Sequence, residues 1–335
     1  MIKKFLLLGL LIASCGMPLL AQILFPISAN RSYGFVDKSG AEIVKPSFSR
    51  AYDFREGMGR IQNDGKYGFV NAAGKIVIDA KYDRASDFSD GLAAVSSDEK
   101  WHYIDKTGAI KFSIECTHAY DFSDGLARVQ KGTGFVFYDK TGKSIITPSY
   151  PQVMDFHDGL ARFQQNKKWG YIDKTGRVAI AARFDAALDF SEGLAPFLVG
   201  VEGSGKWGYL DKTGKEVIKA SYDKAFCFSD GRACVRTGNV TQGKFGFIDK
   251  TGKYIIQPSY DVAHSFADGL ACIGSGQGVA KKYGYIDISG KTIVEIQYST
   301  PSDFENGLAK VRIGDFKTGL EAYIDKTGKM VWKAK

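Results

Sequence analysis

An eight-residue signature occurs nine times in this 335-residue chain and constrains its fold more than any other feature. It combines an aromatic residue and Gly, a second aromatic, an aliphatic residue and a D-K-T-G-like end. The copies are YGFVDKSG (33–40), YGFVNAAG (67–74), WHYIDKTG (101–108), FVFYDKTG (135–142), WGYIDKTG (169–176), WGYLDKTG (207–214), FGFIDKTG (245–252), YGYIDISG (283–290) and EAYIDKTG (321–328). The first five copies start 34 residues apart and the last four steps are 38 each. Such a period indicates a tandem array of one supersecondary unit.

A second signature, typified by DFSDGLARV (121–129), falls between successive copies of the first. The four extra residues of the later units lie between the two signatures, as GVEGSGK (200–206) shows beside SSDEK (96–100). An insertion confined to one connection is typical of a surface loop.

Each unit predicts a β-meander of three strands and a further short extended segment. In WGYID, alternation places Trp169 and Tyr171 on one face and Ile172 on the other. Asp173 is expected to accept hydrogen bonds from backbone N–H groups ahead of it, and Gly176 to adopt a positive φ. S-D-G predicts another tight turn.

The Gly after the first aromatic predicts a packing position, because the strand carries large apolar groups on both faces. We expect it to leave a hollow for an aromatic ring of its own or a neighbouring unit. His102, Val136 and Ala322 depart from the pattern. Glu321, which replaces the aromatic residue in the last unit, is expected to belong to an end cap.

A 34-residue meander cannot bury its own apolar face, so residues 22–335 are expected to form one all-β domain of nine units, the last truncated. The main prediction is an open superhelical array of these units. The alternative is a closed, propeller-like ring.

These motifs resemble the WG repeat family of bacterial proteins, named for its Trp–Gly pair. The resemblance covers about residues 23–335. It implies an all-β tandem repeat, and it implies no catalytic residues for this chain.

The first 21 residues predict a secretory signal, with Lys3 and Lys4 before an apolar run. Cleavage after Ala21 would release a periplasmic or secreted protein. The register favours this site, because the first strand starts almost at once after it. The alternative is a lipobox ending at Cys15, which would give an outer-membrane lipoprotein; membrane contact is expected only in that case.

Without the signal, 43 Lys and Arg residues face 37 acids, a net charge of +6 spread over all units. An exported chain with no basic cluster is not expected to bind nucleic acid. Cys116 is expected in the core. Cys234 and Cys272 occupy an equivalent, variable position that predicts an outward face. A Cys234–Cys272 bridge, a Cys227–Cys234 bridge and unpaired thiols all remain open.

The sequence favours a protein that is not an enzyme and has no metal or cofactor. Its four His residues fall in different units, and a catalytic carboxylate pair is needed once, whereas Asp173 and Asp155 recur in most units. The main functional hypothesis is an interaction scaffold for another envelope or extracellular protein. The alternative is a glycan-binding or cell-wall-binding module that stacks sugars on Trp101, Trp169 and Trp207.

Binding is predicted at the variable loops 200–206, 237–244, 274–282 and 312–320, which should emerge on one edge of four consecutive units. The expected binding residues give that edge a basic character suited to an anionic partner, such as an acidic protein surface or an anionic glycan. They are Arg236, Lys244, Lys281, Lys282, Arg312 and Lys317.

Overall fold

A computed structural model describes residues 23–239, 241–276 and 278–335 of the chain. The predicted signal segment 1–21, including Cys15, lies outside these residues. The described chain forms nine antiparallel sheets, which follow one another in sequence order and share no strand. We call each sheet a blade and number the blades 1 to 9.

Blades 2 to 9 have four strands and blade 1 has three in the described part of the chain. Blade 1 contains β1 (Phe25–Ala29), β2 (Ser32–Val36) and β3 (Glu42–Phe48). Blade 2 contains β4 (Arg50–Arg55), β5 (Met58–Asn63), β6 (Lys66–Asn71) and β7 (Ile76–Tyr82). Blade 3 contains β8 (Arg84–Ala85), β9 (Ala93–Ser97), β10 (Lys100–Ile104) and β11 (Ile110–Ile114). Blade 4 contains β12 (His118–Ser123), β13 (Leu126–Lys131), β14 (Gly134–Tyr138) and β15 (Ser144–Ile146).

The remaining blades repeat this plan. Blade 5 contains β16 (Gln152–His157), β17 (Leu160–Gln165), β18 (Lys168–Asp173) and β19 (Val178–Phe184). Blade 6 contains β20 (Ala186–Ala187), β21 (Leu194–Val199), β22 (Lys206–Asp211) and β23 (Glu216–Tyr222). Blade 7 contains β24 (Lys224–Ala225), β25 (Ala233–Thr237), β26 (Lys244–Ile248) and β27 (Tyr254–Tyr260). Blade 8 contains β28 (Val262–Ala267), β29 (Leu270–Ser275), a 3₁₀ helix (Gly278–Ala280), β30 (Lys282–Asp287) and β31 (Thr292–Tyr298), and blade 9 contains β32 (Thr300–Pro301), β33 (Leu308–Ile313), β34 (Leu320–Asp325) and β35 (Met330–Lys333).

The nine blades close into a ring, so the prediction of an open superhelix is wrong and the alternative, a closed propeller-like ring, fits. Blade 1 packs directly on blade 9. The Tyr323 hydroxyl donates a hydrogen bond to the carbonyl of Pro26 at 2.8 Å, and its ring centroid lies 5.5 Å from that of Phe25. The Ser28 hydroxyl contacts the Glu321 carboxylate at 3.3 Å. These contacts could not occur in an open array.

Closure uses side-chain packing in place of a shared strand. Elsewhere the corresponding tyrosine reaches the first strand of the next blade, as the Tyr103 hydroxyl does when it donates to the Tyr120 carbonyl at 2.6 Å. By repeat alignment, β1 corresponds to the second strand of a blade. Tyr323 therefore reaches a second strand through Pro26. The three-stranded blade 1 thus packs on the four-stranded blade 9 without sharing a strand with it.

Glu321 is part of this closure, as the end-cap interpretation expected. Its carboxylate oxygens lie 2.9 Å from Lys310 Nζ and 3.2 Å from an Arg312 guanidinium nitrogen. In blades 2, 4 and 5 the residue equivalent to Lys310 is an Arg that pairs with an Asp on the next blade. Lys310 finds its counter-charge on its own blade, which explains why an acid replaces the aromatic residue.

Both predicted turns are confirmed. In the D-K-T-G turn, Asp173 Oδ1 accepts hydrogen bonds from the N–H groups of Thr175 and Arg177 at 2.8 and 3.1 Å, and Gly176 has a φ of 81°. In the S-D-G turns, the acid and the Gly both adopt positive φ, as at Asp90 (54°) and Gly91 (87°). These values match the primed hairpin turns that suit the twist of a tight meander.

The D-K-T-G turns predict a specific acid sensitivity. The hydrogen bond from the Thr175 hydroxyl lowers the pKa of Asp173 most, desolvation opposes it, and the N–H groups of Thr175 and Arg177 lower it further, so the pKa lies below its usual range. A depressed pKa stabilises the fold above the unfolded pKa of about 4, and this contribution is lost as the pH falls through the folded pKa. We expect the urea concentration at the unfolding midpoint to decrease as the pH is lowered below about 4. This decrease should be less steep in a variant that combines Asp173→Asn, Asp211→Asn and Asp249→Asn.

The natural Asn71 provides the reason for choosing Asn. Its Oδ1 accepts hydrogen bonds from the N–H groups of Ala73 and Lys75 at 3.0 and 3.1 Å, so an amide forms the same turn without titrating. Parallel pH profiles for the variant and the parent chain would show that these turns do not carry the acid sensitivity.

The Gly of the Trp–Gly pair is a packing position, but its neighbour is backbone and not an aromatic ring. A Cβ at Gly170 would lie 2.5 Å from the Ile180 carbonyl oxygen and 2.6 Å from the Ala182 nitrogen. Between β18 and β19, Trp169 pairs with Phe184 and Tyr171 with Ile180. The fourth strand therefore bulges toward the Gly, and the expected hollow for a ring is filled by this bulge.

The three departures from Gly occur where this bulge is missing. In blade 3, His102 pairs with Ser113 in a regular register. In blade 9, Ala322 pairs with Lys333. In blade 4, β15 ends before it could pair with Val136. A side chain fits at His102 and Ala322 because the neighbouring backbone keeps ordinary strand spacing, and at Val136 because the fourth strand is not paired opposite it.

Adjacent blades are joined at their first strands and their S-D-G turns. Each turn acid from blade 2 to blade 8 accepts a hydrogen bond from the Gly N–H of the following blade, as Asp90 does from Gly125 at 2.7 Å. The first strands are therefore the innermost and line a central channel. The outermost, fourth strands expose alternate aliphatic residues, such as Val178 and Val217.

The position shared by Cys234 and Cys272 faces the blade interface and not solvent, so the prediction of an outward face is wrong. Both thiols are buried and unpaired, and Cys227 is a half-buried free thiol. Burial raises the pKa of Cys227 to about 11. Cys116, expected in the core, is half-buried against the core of blade 3.

Candidate interaction surface

The ring has two faces that differ in their connections. The antiparallel order places the S-D-G and D-K-T-G turns on one face, the turn face. The loops between second and third strands, and the links between blades, lie on the other, which we call the loop face. Four extended loops occupy consecutive blades 6 to 9 on the loop face, between β21 and β22, β25 and β26, β29 and β30, and β33 and β34. The predicted placement of these loops on one edge agrees with this topology.

In blades 1 to 5 the same connection has two residues. Asn166 and Lys167 join β17 to β18 with φ values of 51° and 63°. The contrast divides the loop face into an arc of short turns and an arc of longer loops. Only the longer loops add surface beyond the core of the ring.

In blades 6 to 8 the base of each long loop is fixed by one acid. Asp185 accepts a hydrogen bond from the Gly200 N–H at 2.8 Å and pairs with Lys168 of the preceding blade at 2.5 Å. Asp223 likewise accepts from the Gly238 N–H at 2.8 Å and pairs with Lys206 at 2.7 Å. The ion pair with Lys168, followed by the Gly200 N–H, lowers the pKa of Asp185, so this carboxylate stays charged at neutral pH. The loops of blades 6 to 8 are therefore anchored where they leave the blade.

Large apolar side chains are exposed at both ends of the long-loop arc. On blade 6, Val199 and Val201 are 55% and 76% exposed. On blade 9, Phe316 and Leu320 are 52% and 39% exposed. Sequence reasoning identified the loops but missed these apolar residues. The available signal was Val201 and Phe316 themselves, each standing in a Gly-containing, otherwise polar insert.

The six predicted basic residues lie on or beside the long loops, but several are engaged within the chain. Lys244 pairs with Asp261. Lys282 Nζ donates to the Gly314 carbonyl at 3.0 Å and so joins blade 8 to the loop of blade 9. Arg312 donates to the Gly319 carbonyl at 2.9 Å and pairs with Glu321.

The other three basic residues are placed differently. The Arg236 guanidinium lies 5.8 Å from the Phe245 ring centroid and is half-buried. Lys281 is half-buried and Lys317 is exposed at a loop tip. The long-loop arc is therefore less basic in its accessible charge than its composition suggests.

The predicted tryptophan platform is not formed. Trp101 and Trp207 are 6% and 7% exposed, each inside a blade core. Trp169 is half-buried, and the Arg162 guanidinium carbon lies 5.4 Å from its ring centroid. Three coplanar exposed rings are required for a stacking platform, and these rings do not provide it.

A family model described as "WG containing repeat" matches the chain eight times. The matched residues are 33–67, 67–101, 103–132, 137–169, 169–200, 207–240, 245–274 and 283–315. The chain belongs to this family. The resemblance of the signatures to WG repeats is thereby confirmed, and the fold shows that nine WG repeats in this chain build one ring.

The ring is also similar to solved structures. One is described as "Crystal structure of the eukaryotic initiation factor": its TM-score is 0.67 at 11% identity, with 93% of this chain and 96% of that chain covered. Another is Kluyveromyces lactis Hsv2p, with a TM-score of 0.43 at 10% identity, covering 70% of this chain and 92% of that chain. The first likeness shows the fold alone. No curated protein sequence matches the chain.

Helical structure is confined to one short turn in the described part of the chain. No helix there is both long and apolar enough to cross a membrane.

Proposed function

We propose that this WG-repeat propeller is a non-catalytic interaction module that binds a protein partner through the long loops of blades 6 to 9. The observation that carries the proposal is the exposure of Val201 and Phe316, the first on a loop whose base is anchored by Asp185. Blade 8 contacts the long loop of blade 9, because Lys282 donates a hydrogen bond to the Gly314 carbonyl. A partner that covers both apolar side chains would gain about 1.5–3 kcal/mol from each.

The chemistry of the arc favours a protein over a glycan. Apolar residues at the ends of a surface patch with polar surroundings are typical of protein interfaces. Glycan stacking would require exposed aromatic faces, and Trp101 and Trp207 are buried. An anionic glycan would require free cations, whereas Lys244 and Arg312 are paired with acids.

The place of action is proposed from the first 21 residues, whose pattern is that of a secretory signal. The partner is accordingly proposed to be another protein of the bacterial envelope or the extracellular space. The lipoprotein alternative at Cys15 would tether the ring to the outer membrane and would leave the loop face available in the same way.

The test is site-specific photo-cross-linking in intact cells. A photoreactive amino acid is placed at Val201 or at Phe316, with two controls. Asn166 lies on a short turn of the same face, and Thr213 lies on the turn face. We expect the same covalent partner from positions 201 and 316 and none from the controls. Adducts only from Thr213, or no adduct from either loop, would contradict the proposal.

Loop trimming supplies an independent variant. Residues 200–205 and 314–319 are each replaced by Asn-Lys, the turn that joins β17 to β18. The shared strand register predicts an unchanged fold, because each trimmed blade then has the connection of blade 5. We expect capture of the cross-linked partner to be lost while the melting temperature stays close to that of the parent chain. Equal capture by the trimmed protein would show that these loops are only connections.

A further inference from the structure

A series of arginine–aspartate pairs joins neighbouring blades along the channel wall. In each pair an Arg on a second strand binds, through its Nε, an Asp that lies on or just after the first strand of the next blade. The pairs are Arg60–Asp87 at 2.8 Å, Arg128–Asp155 at 2.8 Å and Arg162–Asp189 at 2.6 Å. The same repeat position thus builds the same contact at three blade junctions.

Each guanidinium also meets a carbonyl or an aromatic ring at these junctions. Arg60 donates to the Ala85 carbonyl at 2.8 Å, and Arg162 donates to the Ala187 carbonyl at 2.7 Å. The Arg128 guanidinium carbon lies 5.1 Å from the centroid of the Phe135 ring on the third strand of its own blade. An acid, a carbonyl and a ring together form a pocket suited to a planar cation.

One junction has the acid without the arginine. Blade 3 carries Ala94 at the position of Arg60 and Arg128, while blade 4 retains Asp121 at the position of Asp87 and Asp155. The side-chain hydrogen-bond partner of Asp121 is the Ser86 hydroxyl, a neutral group. No ion pair to Asp121 is formed by the residues that the structure describes.

Most of the other junctions without arginine lack this imbalance, and the exception joins blades 1 and 2, where Asp53 stands opposite Pro26. Where Pro196 and Cys234 replace the Arg, Cys227 and Ser265 replace the Asp. Where Cys272 stands opposite Asp303, His264 Nδ1 lies 2.8 Å from the Asp303 carboxylate. Asp121 and Asp53 are therefore the two acids left opposite an apolar residue, and Asp121 has a hydroxyl partner and no ion pair among the described residues.

A cavity of about 350 Å³ adjoins Asp121 between blades 3 and 4. Trp101 lines it at the repeat position of Phe135 and Trp169, and Ala119 lines it at the position of Ala85 and Ala187. The cavity therefore presents the residue types that surround the other guanidinium groups.

The positively charged side chains near the cavity do not replace the missing arginine. Arg128 is held by Asp155 at 2.8 Å. Burial, followed by the charges of Arg84 and Arg128, lowers the pKa of His118, so this ring is neutral at pH 7. Arg84 lines the cavity without an ion pair to Asp121 among the described residues.

We propose that the cavity at Asp121 and Trp101 binds a guanidinium group supplied from outside the chain. The ligand takes the place of the side chain that Ala94 does not provide. The source is either a small guanidinium compound or an arginine residue of a bound polypeptide. This site lies in the channel wall and does not rest on the proposed function of the loops.

The test follows the indole N–H signal of Trp101 in a ¹⁵N-labelled protein, assigned with Trp101→Phe, during titration with methylguanidinium. Wild-type protein should show a saturable shift of this signal. Asp121→Asn should weaken binding by at least about tenfold, because a charge-assisted hydrogen bond is lost. Asp53→Asn removes another acid of the same repeat position and should leave binding unchanged.

Ala94→Arg supplies the decisive variant, because it restores the arrangement of the other junctions. We expect it to raise the melting temperature and to abolish the shift. Saturable binding that survives Ala94→Arg, a lower melting temperature in this variant, or equal loss in Asp53→Asn and Asp121→Asn would overturn the proposal. Titrations with L-arginine and N-acetyl-arginine amide then identify the source: tighter binding of the first indicates a small compound, and tighter binding of the second indicates an arginine residue of a polypeptide. The proposal would also be overturned if none of the three compounds bound.

Discussion

Tyr323→Ala is expected to lower the free energy of unfolding by about 4 kcal/mol, because it empties a buried aromatic position at the closure of the ring. Tyr323 is 3% exposed and shares a core with Phe25, Ile27 and Leu308. Its hydroxyl also holds the Pro26 carbonyl at 2.8 Å. Urea unfolding measures the loss, and Tyr323→Phe should lose only about 1–2 kcal/mol because it removes the hydrogen bond alone.

The matched control is Tyr285→Ala, one blade earlier. Tyr285 is equally buried, and its hydroxyl donates to the Ser302 carbonyl at 2.8 Å. Both substitutions should cost similar free energy. Only Tyr323→Ala should also accelerate hydrogen exchange in β1 and β35, the strands at the two ends of the described chain. Unchanged exchange in β1 would contradict the closure.

Gly208→Ala is expected to cost about 3 kcal/mol, which is large for the addition of one methyl group. The added Cβ would lie 2.5 Å from the Ile218 carbonyl oxygen and 2.7 Å from the Ala220 nitrogen. These atoms belong to the backbone bulge of β23 and cannot move aside as a side chain would. Thermal and urea unfolding measure the loss.

The control for Gly208→Ala is His102→Ala, which places alanine at the equivalent position of blade 3. There His102 pairs with Ser113 in a regular register, so a Cβ already fits. We expect a loss of less than about 1 kcal/mol, mostly from the hydrogen bond between the His102 ring and Ser113 at 2.7 Å. Similar losses at positions 208 and 102 would show that the bulge does not explain the Gly.

Much of each blade was predictable because its determinants are local. Asp173 and Gly176 specify their turn through hydrogen bonds and backbone conformation within five residues. Ring closure was not predictable in the same way. The angle between blades depends on how the core of each blade packs on the next, and the contact between Tyr323 and Pro26 joins residues 297 positions apart.

The bulge opposite Gly170 shows a second limit. The apolar pattern of β19 is that of an ordinary strand, and nothing local in it marks the residues that bulge toward β18. The repeat period located the long loops of blades 6 to 9. The period did not show that Lys244 and Arg312 form ion pairs within the chain, because folding brings Asp261 and Glu321 to them.

The closed ring is the central claim, and cross-linking of its two ends tests it most directly. Cysteines replace Ser28 and Glu321, whose side chains lie 3.3 Å apart, in a chain where Cys116 and Cys227 are changed to Ser. The control pair combines position 28 with Thr175 of blade 5. A short bismaleimide should give an intramolecular cross-link for the 28–321 pair at every protein dilution and none for the control. The absence of that cross-link in folded protein, with the chain ends reacting singly, would contradict the ring and restore the open array.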